Sequence, residues 1–244
     1  MALNKRLMSA GSPVCTTEAV DIFGDSSGVA LYSLDYDASD AGSYNGAASN
    51  VTFGVGGKTL YGAEFNGSSS DIILPQNTAF DLNGVGSFSL WVNRNDTAQR
   101  WIFEKANGGS GTYGWQLYFN STQYYFQMHN TSDGAITLQS GTGFSINTWE
   151  HIVITSSASK VYKMYINGVL KDTETLSGTV SVNTNGARLG EYSLASGYNF
   201  SGSIDQVRVF SKELSTGEIS TSVSYTHLRA HETSLHLVCR LLLE

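Results

Sequence analysis

Three aspartates, Asp35, Asp37 and Asp40, fall within six residues of the stretch "DYDASDAGSYNG" (35–46). Side chains of this kind, with loop carbonyls, supply the six to eight oxygens that a hard Ca²⁺ ion takes up. A fourth carboxylate, Asp205, lies in "SGSIDQVRVFSKELSTGEI" (201–219). Strict alternation puts Ile204, Gln206, Arg208 and Phe210 on one face and Asp205, Val207 and Val209 on the other. Asp205 is therefore expected in line with two valines, where it could complete a calcium site from the last strand. The same residues have a structural alternative. Asp35, Asp37 and Asp40 suit turns that bond nearby amides, and a buried Asp205 stays charged if backbone N–H groups bond to it. Either way Asp205 requires a partner, because an unpaired buried carboxylate costs several kcal/mol.

The segment "YGWQLYFNSTQYYF" (113–126) is dense in Tyr and Trp, whose apolar faces and polar tips suit contact with sugar rings. Tyr113, Trp115 and Tyr124 are the candidates for an exposed ligand-binding face. Alternation assigns at least half of the segment to a core instead. Bond-breaking chemistry has less support. Glycoside hydrolysis needs two carboxylates about 5–5.5 Å apart for retention, or further apart for inversion. The sequence has no Glu-x-Asp-x-Glu element, and Glu104 and Glu150 stand alone in their segments. Outside residues 223–244 it also lacks a Ser or Cys nucleophile motif, a phosphate-cradling glycine loop and a His-x-x-x-His pair. No catalytic residue is assigned, and the chain is expected not to be an enzyme.

These groups must be held by many short strands. Glycine is abundant (26), proline scarce (2), and charged residues make up only 14% of 244 positions, which favours polar turns over long helices. "GSFSLWVNR" (86–94) alternates cleanly, with Phe88, Leu90 and Val92 against Ser87, Ser89, Trp91 and Asn93. Asn-Gly pairs at 66–67 and 167–168 predict turns. More than ten such segments at a spacing of roughly 8–12 residues predict an all-β, two-sheet antiparallel sandwich. The clearest helical signal is "LSTGEIS", where Ser215 and Glu218 form a capping box. A net charge of −7 argues against nucleic acid as a partner, since phosphate contacts need clustered Lys and Arg. No run approaches the roughly 18 apolar residues of a membrane span, and the start lacks the apolar core of a secretory signal. Cys15 and Cys239 offer no metal spacing.

Six segments in order resemble the laminin-G-like (concanavalin A-like lectin/glucanase) jelly-roll family: "YSLDYDASDAGSYNG", "AEFNGSSSDIIL", "SFSLWVNR", "NTWEHIVIT", "MYINGVLKDT" and "GSIDQVRVFSKELSTGEI". The resemblance implies two antiparallel sheets packed face to face. It places metal in some members near the first loop, a structural role on His151, and Trp91 and Trp149 in the core. Residues 1–30 resemble leaders of such domains in tailed-phage virion proteins. Residues 223–244, "VSYTHLRAHETSLHLVCRLLLE", resemble a translated sequencing adapter, so His227, His231, His236 and Cys239 receive no role and the native C-terminus is left open. The expected organisation is a flexible leader or attachment segment over 1–24, one jelly-roll domain over 25–221, and an artefactual tail over 222–244. The function these readings imply is non-catalytic recognition of a glycan or other cell-surface ligand, in a phage tail fibre or decoration protein that meets other virion proteins. Made in the host cytoplasm, it would work in the virion or otherwise outside the cell. The alternatives are a purely structural virion protein and a glycoside hydrolase of the same fold.

Overall fold

The computed structural model describes residues 20–107 and 113–224. Most of the expected leader and tail, with His227, His231, His236 and Cys239, lies outside the described residues. The first strands are β1 (Gly28–Tyr32), β2 (Ala47–Ser49), β3 (Thr52–Gly56), β4 (Tyr61–Asn66) and β5 (Asp71–Ile73). After a 3-10 turn at Thr78–Asp81 come β6 (Gly86–Arg94), β7 (Arg100–Lys105), β8 (Trp115–Asn120), β9 (Gln123–His129) and β10 (Ala135–Gln139). The series ends with β11 (Glu150–Ser156), β12 (Val161–Ile166), β13 (Val169–Thr175), β14 (Arg188–Leu189) and β15 (Ser201–Phe210).

Two antiparallel sheets result. One runs β13-β12-β11-β6-β15-β4-β3, with β1 also on β15; the other runs β10-β9-β8-β7-β14-β5-β2. The period-2 pattern explains how they pack. Phe88, Leu90 and Val92 of β6 enter the space between the sheets, where they meet Trp115, Leu117 and Phe119 of β8 and Phe126 and Met128 of β9. The Asn-Gly pair at 167–168 joins β12 to β13 with both residues at positive φ (52° and 80°), as a type I′ hairpin turn requires.

β15 departs from strict alternation. Gln206 takes φ 52°, and the register with β6 slips between Asp205 and Arg208. This bulge inverts the parity, so Ile204, Val207 and Val209 all enter the core between the sheets. Asp205 is thereby turned to the opposite face, beside its cross-strand neighbour Trp91 and, one strand further, His151. The expectation that Asp205 lies in line with Val207 and Val209 is corrected by this single residue.

That opposite face of the eight-stranded sheet is buried as well. Val153, Tyr165, Phe210, Leu214 and Ile219 form a second apolar cluster, with Ile22 and Phe23 packed on it. Residues 20–24, expected to belong to a flexible leader, thus contribute to the body. Phe23 meets Phe210 at 5.4 Å, and the Lys212 ammonium sits 4.4 Å from its ring centre. A helix over 216–224 closes the cluster. Its capping box is formed: Ser215 N donates to Glu218 Oε2 (2.8 Å), and Glu218 N donates to Ser215 Oγ (3.3 Å). The helix runs past the expected tail boundary at 222, and Ser222 is buried. Replacing Phe23 by alanine is expected to cost about 1–2 kcal/mol through lost apolar burial, read as a lower denaturant midpoint. An unchanged midpoint would detach the segment from the fold. No helix among the described residues is long and apolar enough to cross a membrane.

Candidate functional site

Three of the four aspartates expected to hold calcium accept hydrogen bonds from backbone amides. Asp40 accepts from Leu31 N (2.7 Å) on Oδ1 and from Tyr44 N (3.0 Å) on Oδ2, which fastens the 35–46 loop to β1. Asp37 accepts from Ser39 N (2.8 Å), an Asx turn. Asp205 is fully buried, and its Oδ2 accepts from Lys58 N (2.8 Å), Thr59 N (3.0 Å) and Thr59 Oγ1 (3.1 Å). Its Oδ1 has no hydrogen-bond partner. Burial pushes its pKa up to about 7, and the charge of Asp35 pushes in the same direction. Asp35 and Asp205 are thus near enough to interact, while Asp37 is bound to its own loop and Asp40 to that loop and β1. Among the described residues, no three His, Cys, Asp or Glu side chains are gathered to hold a metal.

Around Asp205 the outer face of the sheet is closed. Trp91 packs on His151 at 4.9 Å, and the Lys58 ammonium stands 4.3 Å over the Trp91 ring. Trp91 is buried, as the resemblance implies, on the side of the sheet opposite Phe88, Leu90 and Val92. His151 is held down to about 3, first by burial and then by the charges of Arg208 and Lys58, so it stays neutral.

Two of the three aromatic candidates are corrected. Trp115 and Tyr124 are buried between the sheets. Trp115 stacks on Phe88 and donates Nε1–H to Phe80 O (2.7 Å). The Tyr124 hydroxyl donates to Glu150, beneath the buried Arg94 guanidinium 5.3 Å from its ring. Tyr113 is half-buried on the outside, against His129 (5.1 Å).

The outer face of the seven-stranded sheet assembles what sequence reasoning did not. Cross-strand register sets Trp101 of β7 beside Tyr118 of β8, Tyr125 of β9 and Gln139 of β10. Tyr192, from the loop after β14, stacks on the far side of Trp101 at 4.1 Å. Trp101 and Tyr118 lie 4.8 Å apart with planes at 16°, and Tyr118 and Tyr125 lie 5.1 Å apart at 8°. Rings lying flat in one plane would overlap at those distances. They stand on edge instead, spaced as the strands are, and turn their rims and hydroxyls outward. A parallel row carries polar groups: Arg188, Glu104, Gln116, Gln127 and Thr137 are successive cross-strand partners. The Trp101 indole N–H donates to Gln116 Oε1 (3.2 Å), tying the two rows together.

Beside Tyr192 the turn after β4 and the loop after β14 enclose a cleft of about 440 Å³, lined by Ser68, Ser69, Glu191, Tyr192, Ser193 and Asn199 among others. Beneath it Glu104 is fully buried. Its Oε1 accepts from Ser193 N (2.8 Å), and its Oε2 has no partner. Burial pushes Glu104 up to about 7; Ser193 and Arg188 pull it down, and Glu191 pushes it further up. Arg188 pairs with Glu191 at 2.5 Å. Glu104 and Glu150, the two isolated strand glutamates, lie on different sheets.

A signal for this face was present in 113–126. Leu117, Phe119 and Phe126 mark the inward parity of β8 and β9, which leaves Tyr118 and Tyr125 pointing out. Trp101 and Tyr192 join them only through register and a distant loop, which no local pattern reveals.

A family model described as the Concanavalin A-like lectin/glucanases superfamily matches residues 66–220, and the chain belongs to that superfamily, in its laminin-G-like form. The botulinum-like toxin eBoNT/J of Enterococcus sp. (strain 3G1_DIV0629) is 28% identical over 147 residues, which is 55% of this chain and 11% of the toxin. Domain 4 of AbnA, a GH43 extracellular arabinanase from Geobacillus stearothermophilus solved in complex with arabinotriose, is similar with a TM-score of 0.63. That match has 21% identity and covers 79% of this chain and 96% of the domain. The binding domain of Paraclostridial Mosquitocidal Protein 1 gives a TM-score of 0.67 at 19% identity, over 80% of this chain and 51% of that one. The botulinum neurotoxin serotype D binding domain gives 0.64 at 19%, over 81% and 51%. The chain thus spans about a tenth of the toxin and half of each of these binding domains.

Proposed function

We propose that this chain is a non-catalytic recognition module that binds carbohydrate across the outer face of the seven-stranded sheet. The observation that carries the reading is the Tyr192–Trp101–Tyr118–Tyr125 ladder beside a row of amide side chains and a cleft lined by serines. Ring rims, phenol hydroxyls and carboxamides together offer apolar contact and directional hydrogen bonds, the combination that orients a polyhydroxylated ligand. Support comes from the lectin/glucanase superfamily, from the similar arabinanase domain solved with arabinotriose, and from toxin domains described as binding domains. A tailed-phage virion is the proposed setting, on the strength of the leader resemblance.

The test is a glycan array run with the wild-type chain and with Tyr118→Ala, alongside an assay for released reducing ends. Expected are retention of at least one glycan class, no turnover, and binding weakened about tenfold in the variant, an effect of about 1.4 kcal/mol, with the fold retained. An array with no retained glycan, equal binding by the variant, or released reducing ends would each overturn the reading.

A further inference from the structure

The ladder lies in a part of the chain that is almost free of charge. Asp133 is the single Asp, Glu, Lys or Arg between Lys105 and Glu150. The strands β8, β9 and β10 carry none at all. Leu117, Phe119, Tyr124, Phe126, Met128 and Leu138 mark the inward positions of these strands. The outward positions therefore hold Gln, Asn, Tyr, Thr, Ala and one histidine, His129. Burial keeps the pKa of His129 below its ordinary 6.5, so it too is neutral at pH 7.

The carboxamides on this surface are held in place by their neighbours. Gln123 Nε2 donates to Gln139 Oε1 (2.9 Å), and Gln127 Nε2 donates to Thr137 Oγ1 (3.3 Å). The Tyr125 hydroxyl donates to Gln123 Oε1 (3.2 Å). An amide side chain has four hydrogen-bonding valences, and these contacts use one or two on each. The remaining valences are oriented donors and acceptors beside the ring rims, with little rotamer freedom left to lose on binding.

Ring spacing is an independent constraint. Tyr192, Trp101, Tyr118 and Tyr125 follow one another at 4.1, 4.8 and 5.1 Å, on a line that crosses the strands. An extended chain of β-1,4-linked pyranoses repeats at nearly the interstrand distance, about 4.8 Å. Resting on the carbohydrate reading above, we infer that the ligand is an uncharged, extended β-1,4-linked polysaccharide laid across the strands, one sugar to each ring. Its C–H groups meet the aromatic rims, and its hydroxyls meet the carboxamides of the parallel row, Gln116 and Gln127. A sialylated, uronic or sulfated chain would set its charges against a surface that offers no counter-charge, and would lose hydration there without compensation.

The experiment measures, by calorimetry, oligomers of β-1,4-linked glucose, xylose and mannose from one to six units long. Affinity in at least one series is expected to rise about tenfold from the disaccharide to the tetrasaccharide and to level off beyond it. It should be the same at low salt and in about 0.5 M salt, since there is no ion pair to screen. Polymannuronate, a β-1,4-linked chain with a carboxylate on every residue, should not bind. Tyr125→Ala, in a chain whose melting confirms folding, should lose the gain from longer oligomers while still binding the disaccharide. Affinity independent of length, binding of polymannuronate, binding that weakens with salt, or a length gain that survives Tyr125→Ala would each overturn the inference. If none of the three series binds while the array retains another glycan, the inference fails and the carbohydrate reading stands; a blank array removes both.

Discussion

Stability of the folded chain is expected to fall as the pH rises from about 5 to about 8. Asp205 and Glu104 are fully buried, and each has its pKa pushed up to about 7 from ordinary values of 3.8 and 4.5. The folded state holds both protons more tightly than the unfolded chain does. Their contribution is complete below about pH 4 and is lost as the pH passes through 7, at about 1.4 kcal/mol per pH unit for each group. His151 acts in the other direction. It is held at about 3 against an ordinary 6.5, so the unfolded chain takes a proton that the folded one refuses, and stability from this source grows up to about pH 6.5. Between about 4.5 and 6.5 it cancels one carboxylate, and from 6.5 to 7 neither is offset. The net loss from pH 5 to 8 is about 3 kcal/mol, which is large against a total of about 5–15 kcal/mol. Asp25 and Glu218 have lowered pKa values through Lys212, so their opposing effect falls mainly at more acid pH. Chemical denaturation at a series of pH values reads the trend. Asp205→Asn keeps an acceptor for the Lys58 and Thr59 donors and removes the titration, so it should abolish most of the decline and leave about 1 kcal/mol or less, lost between pH 6.5 and 7. Stability that rises or stays level from pH 5 to 8 would mean that these carboxylates are solvated.

The residues that carried the fold in the sequence are those whose parity is uninterrupted. β6 reads Phe88, Leu90, Val92 and packs that way, and the Ser215–Glu218 box marks where the helix begins. β15 shows where parity fails. One left-handed residue, Gln206, moves Asp205 from the face shared with valines to the one shared with Trp91 and His151. Its buried state was legible because either face of this sheet is covered; its neighbours were not. The second apolar cluster explains the difference. Phe23 and Ile219 lie 196 positions apart and meet across β15, so neither segment shows in its own composition that it covers a sheet. The ladder is non-local for the same reason: Trp101 and Tyr192 are neighbours through strand order and loop placement alone. The acidic loop has two readings for a physical reason. Asp37 and Asp40 have ligand-like spacing, but Asp37 accepts from Ser39 N, and Asp40 from Leu31 N of β1 and from Tyr44 N; backbone bonds of this kind compete for short carboxylates.

The contrast between Trp115 and Tyr118 tests how β8 divides its labour. Trp115 is 1% exposed; it stacks on Phe88 at 5.0 Å and meets Phe103 edge-on at 4.9 Å. Its indole N–H satisfies the Phe80 carbonyl of the 3-10 turn. Trp115→Ala removes the ring between the sheets and leaves that carbonyl buried without its donor. The cavity costs about 3–5 kcal/mol and the orphaned acceptor about 1–3 more. The sum is comparable with the whole stability of many domains, so the variant is expected to be unfolded or insoluble at 37 °C. Trp115→Phe restores most of the packing without the hydrogen bond and should fold with a lower melting temperature. Tyr118, three positions on and facing outward, is only half-buried; its alanine variant should lose about 1 kcal/mol of ring contact while folding normally and binding glycan poorly. If Trp115→Ala instead folded as well as the wild type and lost only ligand binding, Trp115 would belong to the binding face, and the inward and outward assignments along β8 would have to be exchanged.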